Sequence, residues 1–373
     1  MVNNNHVGIE EHRAYWSMVL PAFSIYLFVM AFPIVISIIL SLSDYNGGRM
    51  FGGEAWRIIG FGQYRKLVSD PYFWLALKNN IYIVLISVFG QLPLGFFIAY
   101  IIYRKMVRCG GFWQGVLYVP AIIPVIVIGI LWGIVFSPYG PLAELMNSIY
   151  AHGFEDRLNS IFAGNYNMVI TDGLVHRILD ICGTSAKEIF SNPLVELKEF
   201  LMGYSPSETT VMKNDLVNLL APTWNADFLN KRDIAMLPIL FVTLWCWTGT
   251  YLILFLANMQ KIDPQILEAA QIDGASEGQI VSRIILPSLS GVIMNAAILC
   301  ISGSLNAFAL IQSMTAGGPA RITQVLSIYM YESAFMGAPD YPYANAISLF
   351  IVMFSFILIV LTRKIENKWG GKE

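Results

Sequence analysis

Long uncharged apolar runs alternate with polar segments along this chain. Six stretches of about 20 residues or more, roughly 15–41, 80–103, 112–136, 236–259, 288–311 and 343–362, contain no Asp, Glu, Lys, Arg or His. That length and composition predict helices that cross a bilayer. The polar residues singled out inside them are Gln91, Asn295, Asn306 and Asn345. The first run is too long for the apolar core of a signal peptide and lacks a small-residue cleavage site, so a true first span is expected, with Trp16 and Tyr45 flanking it as interfacial anchors. Span three carries Pro120 and Pro124, whose freed backbone groups neighbouring helices must satisfy, then Gly129 and Gly133, which permit close approach; together they predict a helix packed inside a bundle.

The largest polar segment, Pro141 to Asp233, contains three amphipathic stripes. Leu174, Val175, Ile178 and Leu179 form the first. Leu194, Leu197, Phe200 and Leu201 form the second, after a capping box of Ser185 and Glu188. Val211, Met212, Leu216, Val217 and Leu220 form the third, capped by Ser207. A compact helical insertion is expected at about 153–222.

Composition agrees with the pattern. The chain is 56% hydrophobic and only 13% charged, against about a quarter charged in an average soluble domain, so the fold class is an all-α membrane protein. Ten basic residues, among them Arg13, Arg104, Arg108, Lys261, Arg283 and Arg363, fall in one set of connecting segments of roughly 60 positions. Thirteen are spread over roughly 160 positions on the other side. The positive-inside rule then puts both termini in the cytoplasm. The expected organisation is a cytoplasmic N-terminus (1–14), three spans within 15–136 and an extracytoplasmic segment (137–235). Three more spans follow within 236–363, interrupted by a cytoplasmic loop (260–287), and a cytoplasmic tail (364–373) ends the chain.

That loop is polar, rich in Ala and Gly, and carries the signals of two short helices around a turn. Asp263 is an N-cap with Pro264 at the first helical position, Gly274 suits a left-handed C-terminal residue, and Ser276 with Gln279 makes a capping box. Leu286-Pro287 closes the second helix before the next span.

The residues Glu268, Ala269, Ala270, Asp273, Gly274, Ala275, Ile284, Leu286 and Pro287 fall on a pattern of EAA, two residues, DGA, then a hydrophobic stretch ending in LP. The loop thereby resembles the EAA loop of ATP-binding-cassette (ABC) importer permeases, with Val281 standing where that family usually has Phe. Gly60-Phe61-Gly62-Gln63-Tyr64 and Asp70-Pro71-Tyr72-Phe73-Trp74 before span two also resemble family phrases. So does Gly317-Gly318-Pro319 with Thr323 and Tyr329 after span five, which is similar to the carbohydrate branch typified by maltose and glycerol-phosphate systems. The resemblance covers nearly the whole chain except 153–222, returning at Trp224-Asn225-Ala226-Asp227.

It implies a type I ABC importer permease fold with six transmembrane helices in a bacterial or archaeal cytoplasmic (inner) membrane. The implied partners are a second homologous permease, two ATPase subunits that receive the EAA loop, an extracytoplasmic solute-binding protein and a sugar-like substrate in a lipid bilayer, with no nucleic acid. ATP and Mg would sit on the partner ATPases and no cofactor on this chain. Trp245, 23 residues before Glu268, stands where maltose-type permeases stack a sugar, and Thr243, Thr250, Ser304 and Asn306 fall near other sugar-contacting positions. Gln91 joins them on polarity alone. Ala121 and Val125 are apolar where the maltose case is polar, which points away from maltose itself.

No enzyme is expected. There is no P-loop and no H-E-x-x-H, and the four histidines all lie outside the spans, His152 beside Glu155 and Asp156 reading as a solvated loop residue. Ion-coupled carriers usually need intramembrane carboxylates or broken helices that hold the ion, and the spans offer neither a carboxylate nor an evident cation site. That sets the alternative, a secondary transporter or channel for a small polar solute, behind an importer driven from outside the chain.

Overall fold

The computed structural model describes residues 4–48, 56–162, 172–182, 192–203, 211–212, 215–216, 228–229 and 231–370. Among them regular structure is helical, apart from one isolated bridge between Ser43 and Ile58. Four helices are long and apolar enough to cross a membrane: Tyr15–Ser41, Pro71–Tyr103, Met236–Met259 and Tyr341–Lys364. Two bent pairs, Gly110–Ile122 with Val125–Val135 and Glu277–Ser288 with Ser290–Leu305, raise the number to six when each pair counts as one span.

Proline and asparagine explain where these helices depart from the hydropathy boundaries. The second span begins at Pro71 rather than near residue 80, because Asp70 caps it by accepting from the Tyr72 N–H at 2.9 Å. Lys78 is accommodated in its first turns, with Nζ 5.6 Å from the Tyr82 ring centre. The third span bends by 95° between Ile122 and Val125. Pro124 has no N–H to offer the Pro120 carbonyl, and Cys246 Sγ donates to that oxygen instead at 3.8 Å. The fifth helix ends at Leu305, not at 311. Asn80 Nδ2 donates to the carbonyls of Ser304 (3.2 Å) and Leu305 (3.4 Å), and its Oδ1 accepts from the Leu326 N–H. The chain then turns into a short helix, Ala309–Met314.

Three π-helical turns, Leu27–Ala31, Ser87–Gln91 and Val281–Ile285, each stand immediately before a helical segment whose second residue is proline: Pro33, Pro93 and Pro287. In each case the carbonyl four residues before the proline lies inside the widened turn, which relieves the clash with the proline ring.

The chain packs as two units, Met1–Gly129 with Ile239–Glu373, and Ile130–Pro238. In the first, Phe73, Ala76, Leu77, Ile301, Leu305, Tyr329, Tyr343 and Ile347 form one core near the starts of spans two and six. Phe96, Ala99, Tyr100, Phe255, Met259, Leu267, Ile280 and Ile285 form another, where the 264–288 hairpin meets spans two and four. Ser37 Oγ donates to Asn345 Oδ1, joining the end of the first span to the sixth. In the second unit, Pro141–Phe162, Asp172–Cys182 and Pro193–Met202 pack in succession around Leu158, Val175, Ile178, Leu197 and Leu201, with Met212 and Leu216 also buried. Ser185, Glu188, Ser207, Val217, Leu220 and Trp224 to Asp227 lie outside the described residues.

Asp70 does more than cap. Its carboxylate also accepts from the hydroxyls of Tyr329 and Tyr343, joining spans two and six through the helix Leu326–Phe335. Burial pushes its pKa up, but the two hydroxyls and the Tyr72 and Phe73 N–H groups outweigh burial and hold it below the ordinary value. The ionised form is therefore favoured by folding. Its contribution is complete above about pH 4 and is lost as the pH falls through the lowered folded value. Asp70→Ala is expected to destabilise the folded chain by about 1–3 kcal/mol and Asp70→Asn by less, since Asn still caps; the thermal midpoint in detergent at pH 7 checks this. Close helix approach gives a second expectation. A Cβ on Gly249 would fall on the Leu117 carbonyl oxygen, a backbone atom, whereas one on Gly115 meets nothing within 4 Å. Gly249→Ala should cost about 1–3 kcal/mol, and Gly115→Ala should leave the same midpoint unmoved.

Candidate functional site

Two features of the first unit stand out: a helical hairpin at one end of the bundle and a cavity between spans. The hairpin begins where Asp263 accepts from the Gln265 N–H at 2.9 Å and Pro264 occupies the first turn. Its first helix, Pro264–Ile272, ends in a Schellman arrangement. Gly274 adopts φ +79°, its N–H reaches the Gln271 carbonyl at 3.0 Å, and the Ala275 N–H reaches the Ala270 carbonyl at 2.9 Å. The capping box is complete: Gln279 N–H donates to Ser276 Oγ, and the Ser276 N–H donates to Gln279 Oε1. The second helix runs one residue past Pro287, to Ser288, and bends by 70° into the fifth span.

The nine residues of the EAA pattern divide between two faces. Ala270, Ala275 and Ile284 are half-buried against the core that holds Leu267, Ile280 and Ile285. Glu268, Ala269, Asp273, Gly274, Leu286 and Pro287 are exposed. Two residues outside the pattern join that outer face. Ile266 and Ile272 flank Ala269 at a spacing of three, and Ile272 is 86% exposed. Their signal was the apolar i, i+3, i+6 spacing, a stripe turned away from the buried Leu267. The fold leaves Ile266 and Ile272 uncovered.

Gly274-Ala275-Ser276-Glu277-Gly278 also spells G-x-S-x-G. In hydrolases that sequence bends a strand into a helix and exposes a nucleophilic serine. Here no strand precedes it, and Ser276 Oγ is engaged as a helix cap.

The cavity, about 560 Å³, lies beside the bend in span three and the end of the fifth-span helix at Leu305. Gln91, Thr243, Thr250, Ser304 and Asn306 all line it. Gln91 is almost wholly buried, its Nε2 donating to the Thr243 carbonyl at 2.6 Å and its Oε1 facing Cys300 Sγ at 3.6 Å, so it ties spans two, four and five together. Thr243 and Ser304 each donate back to the carbonyl four residues earlier, both at 2.7 Å. Thr250 and Asn306 are the exposed hydrogen-bonding groups of the wall. Trp245 does not line the cavity. Trp247 does, at 42% exposure, joined by Tyr118, Tyr251 and Phe308. Two positions along a helix turn the side chain by about 200°, so Trp245 and Trp247 lie on different faces of the fourth span. No Asp, Glu, Lys, Arg or His lines the cavity, and no group of His, Cys, Asp and Glu able to hold a metal occurs among the described residues.

Known proteins share this architecture. The lactose transport system permease protein LacF of Rhizobium radiobacter is 26% identical over 348 residues, covering 93% of this chain and 91% of its own. The probable ABC transporter permease protein YurN of Bacillus subtilis is 25% identical over the full length of both. The diacetylchitobiose uptake system permease protein NgcF of Streptomyces coelicolor is 22% identical over 93% of this chain and 84% of its own. Among solved structures, a chain of a bacterial ABC transporter for import of the acidic polysaccharide alginate superposes with a TM-score of 0.65 at 18% identity, covering 98% of this chain and 99% of that one. Residues 91–370, well over half of the sequence, match the model of binding-protein-dependent transport system inner membrane components. This chain belongs to that family: it is a multi-pass membrane subunit of an ABC importer, a transport permease and not itself an enzyme.

Proposed function

We propose that this chain forms one half of the path by which an ATP-driven importer carries a neutral, hydroxyl-rich solute, a sugar or polyol, across the cytoplasmic membrane. The chemistry of the cavity wall carries the substrate class. Aromatic faces at Trp247, Tyr118, Tyr251 and Phe308 suit the apolar faces of sugar rings, and Thr250 and Asn306 offer neutral hydrogen bonds. A wall without a charged side chain has nothing to pair with a carboxylated sugar. The lactose and diacetylchitobiose names of two relatives point the same way.

The other half of the path would come from a second, homologous permease. The 264–288 hairpin faces the cytoplasm in this reading, where two ATPase subunits hold ATP and Mg. Its outer stripe of Ile266, Ala269 and Ile272 would seat in an ATPase cleft, with Glu268 and Asp273 as the charged rim. Closure of the ATPases would drag the hairpin and alternate the access of the cavity, and a solute-binding protein would deliver solute at the opposite end.

The test is uptake and ATP hydrolysis by the assembled transporter, with binding proteins loaded with different sugars. Gly274→Asp should abolish stimulated hydrolysis, because Asp is strained at φ +79° and the turn would reset. Trp247→Ala should lower uptake by about fivefold or more, the loss of one ring-stacking contact, and Trp245→Ala should lower it by less than half that factor. Uptake that follows an ion gradient without ATP would overturn the importer reading, and a preference for acidic over neutral sugars would overturn the substrate class.

A further inference from the structure

The hairpin is fixed to the second span by one ionic contact that the family pattern does not contain. Glu277, the first residue of the second hairpin helix, uses both carboxylate oxygens. Oε1 accepts from Arg104 Nη2 at 2.5 Å, and Oε2 accepts from Arg104 Nε at 3.2 Å and from the Tyr100 hydroxyl. This is a two-pronged guanidinium–carboxylate pair, the geometry that fixes direction as well as distance. Arg104 caps the C-terminal end of the second span and Glu277 opens the hairpin's second helix, so each charge also sits at the helix end that favours it. The hydrogen bonds from Arg104 and Tyr100 hold the Glu277 carboxyl below its ordinary pKa, and those to Glu277 hold Arg104 above its own.

The second span connects this contact to the cavity. Thirteen residues from Arg104, about 20 Å along a helix, Gln91 bonds the Thr243 carbonyl in the cavity wall. The π turn Ser87–Gln91 marks the same level. Against this, the pair has little to do for stability. The Glu277 side chain is 48% exposed and that of Arg104 17%, and a pair with one partner open to water contributes on the order of 1 kcal/mol. The apolar contacts of Leu267, Ile280 and Ile285 hold the hairpin in place without it.

We propose that Arg104 and Glu277, steadied by Tyr100, form a strut through which the hairpin turns the second span and with it the Gln91 wall of the cavity. Arg104 and Glu277 are positioning residues in this role. The inference rests on the reading of the hairpin as the coupling element.

The experiment uses the complete transporter in lipid nanodiscs, with Cys109 and Cys182 replaced by Ser, the buried Cys246 and Cys300 retained, and Thr250→Cys as reporter. A membrane-impermeant maleimide measures access to the cavity with and without ATP and vanadate. The parent should change its labelling rate severalfold on trapping. Arg104→Gln and Glu277→Gln should each reduce that change to less than twofold while ATP hydrolysis continues. Arg104→Lys, which keeps charge and loses the fork, should fall between. A change of parental size in both Gln variants would overturn the strut, as would a loss that merely tracks a drop in assembled complex. Failure of the coupling reading has a separate signature. The parent would then show no nucleotide-dependent change, or Gly274→Asp would leave it intact, and the strut would fall with it.

Discussion

A backbone inside hydrocarbon has no water to satisfy it, so every carbonyl that a break or a proline releases must find a partner within the protein. This constraint organises the bundle. Pro33, Pro93 and Pro287 each follow a π turn that moves the displaced carbonyl aside. The Pro120 carbonyl, released by Pro124, is taken up by a thiol on the fourth span. At the end of the fifth span Asn80 receives two carbonyls and one N–H, while Asn79 beside it binds the carbonyls of Ile322 and Gln324 at 2.9 and 2.8 Å. The backbone groups named here are paired where the third and fifth spans end or bend, and a cavity opens beside them.

The same constraint shapes the chemistry of the cavity. Groups that satisfy backbone in a low-dielectric layer must themselves be affordable there, and amides and hydroxyls are far cheaper to hold than charges. Gln91, Thr243 and Ser304 spend donors on backbone carbonyls and keep neutral oxygen at the cavity. A wall built this way offers neutral hydrogen bonds that a hydroxylated solute can use and no charged side chain to pair with an acidic one. The requirement of the fold and the selectivity of the path thus point to the same residue types.

What could be read from the sequence was what is local. The hairpin is determined by Asp263, Pro264, Gly274, Ser276 and Gln279 within 17 residues: Pro264 takes the first helical position, and the other four each form the bond that their type and spacing imply. Run length located four long membrane helices directly, and the other two apolar runs fall on the bent pairs. The end of the fifth span was not legible, because the group that stops it, Asn80, lies 224 residues away. Asn79 and Asn80 were missed as determinants because they stand at the edge of an apolar run, where hydropathy reads them as boundary. The choice between Trp245 and Trp247 depends on the rotation of the fourth span. That phase is set by contacts between helices, Gly249 against the Leu117 backbone and Cys246 against Pro120, which no single segment encodes. The exposed stripe at Ile266 and Ile272 was legible in its period and was obscured by the stronger EAA pattern around it.

Magnitudes separate attachment from steering in the hairpin. Leu267, Ile280 and Ile285 are almost completely buried, and at about 1.5–3 kcal/mol each they bind the hairpin to spans two and four by roughly 5 kcal/mol or more, an upper estimate by its reference state. A force on the outer stripe would therefore carry the ends of those spans along rather than peel the hairpin away. Apolar contacts, however, are non-directional and allow sliding. The Arg104–Glu277 fork adds little to the grip, and it is the contact that fixes the angle between the hairpin's second helix and the second span. Strong adhesion without direction and weak adhesion with direction are complementary, and transmission of a turn to a wall about 20 Å away needs both.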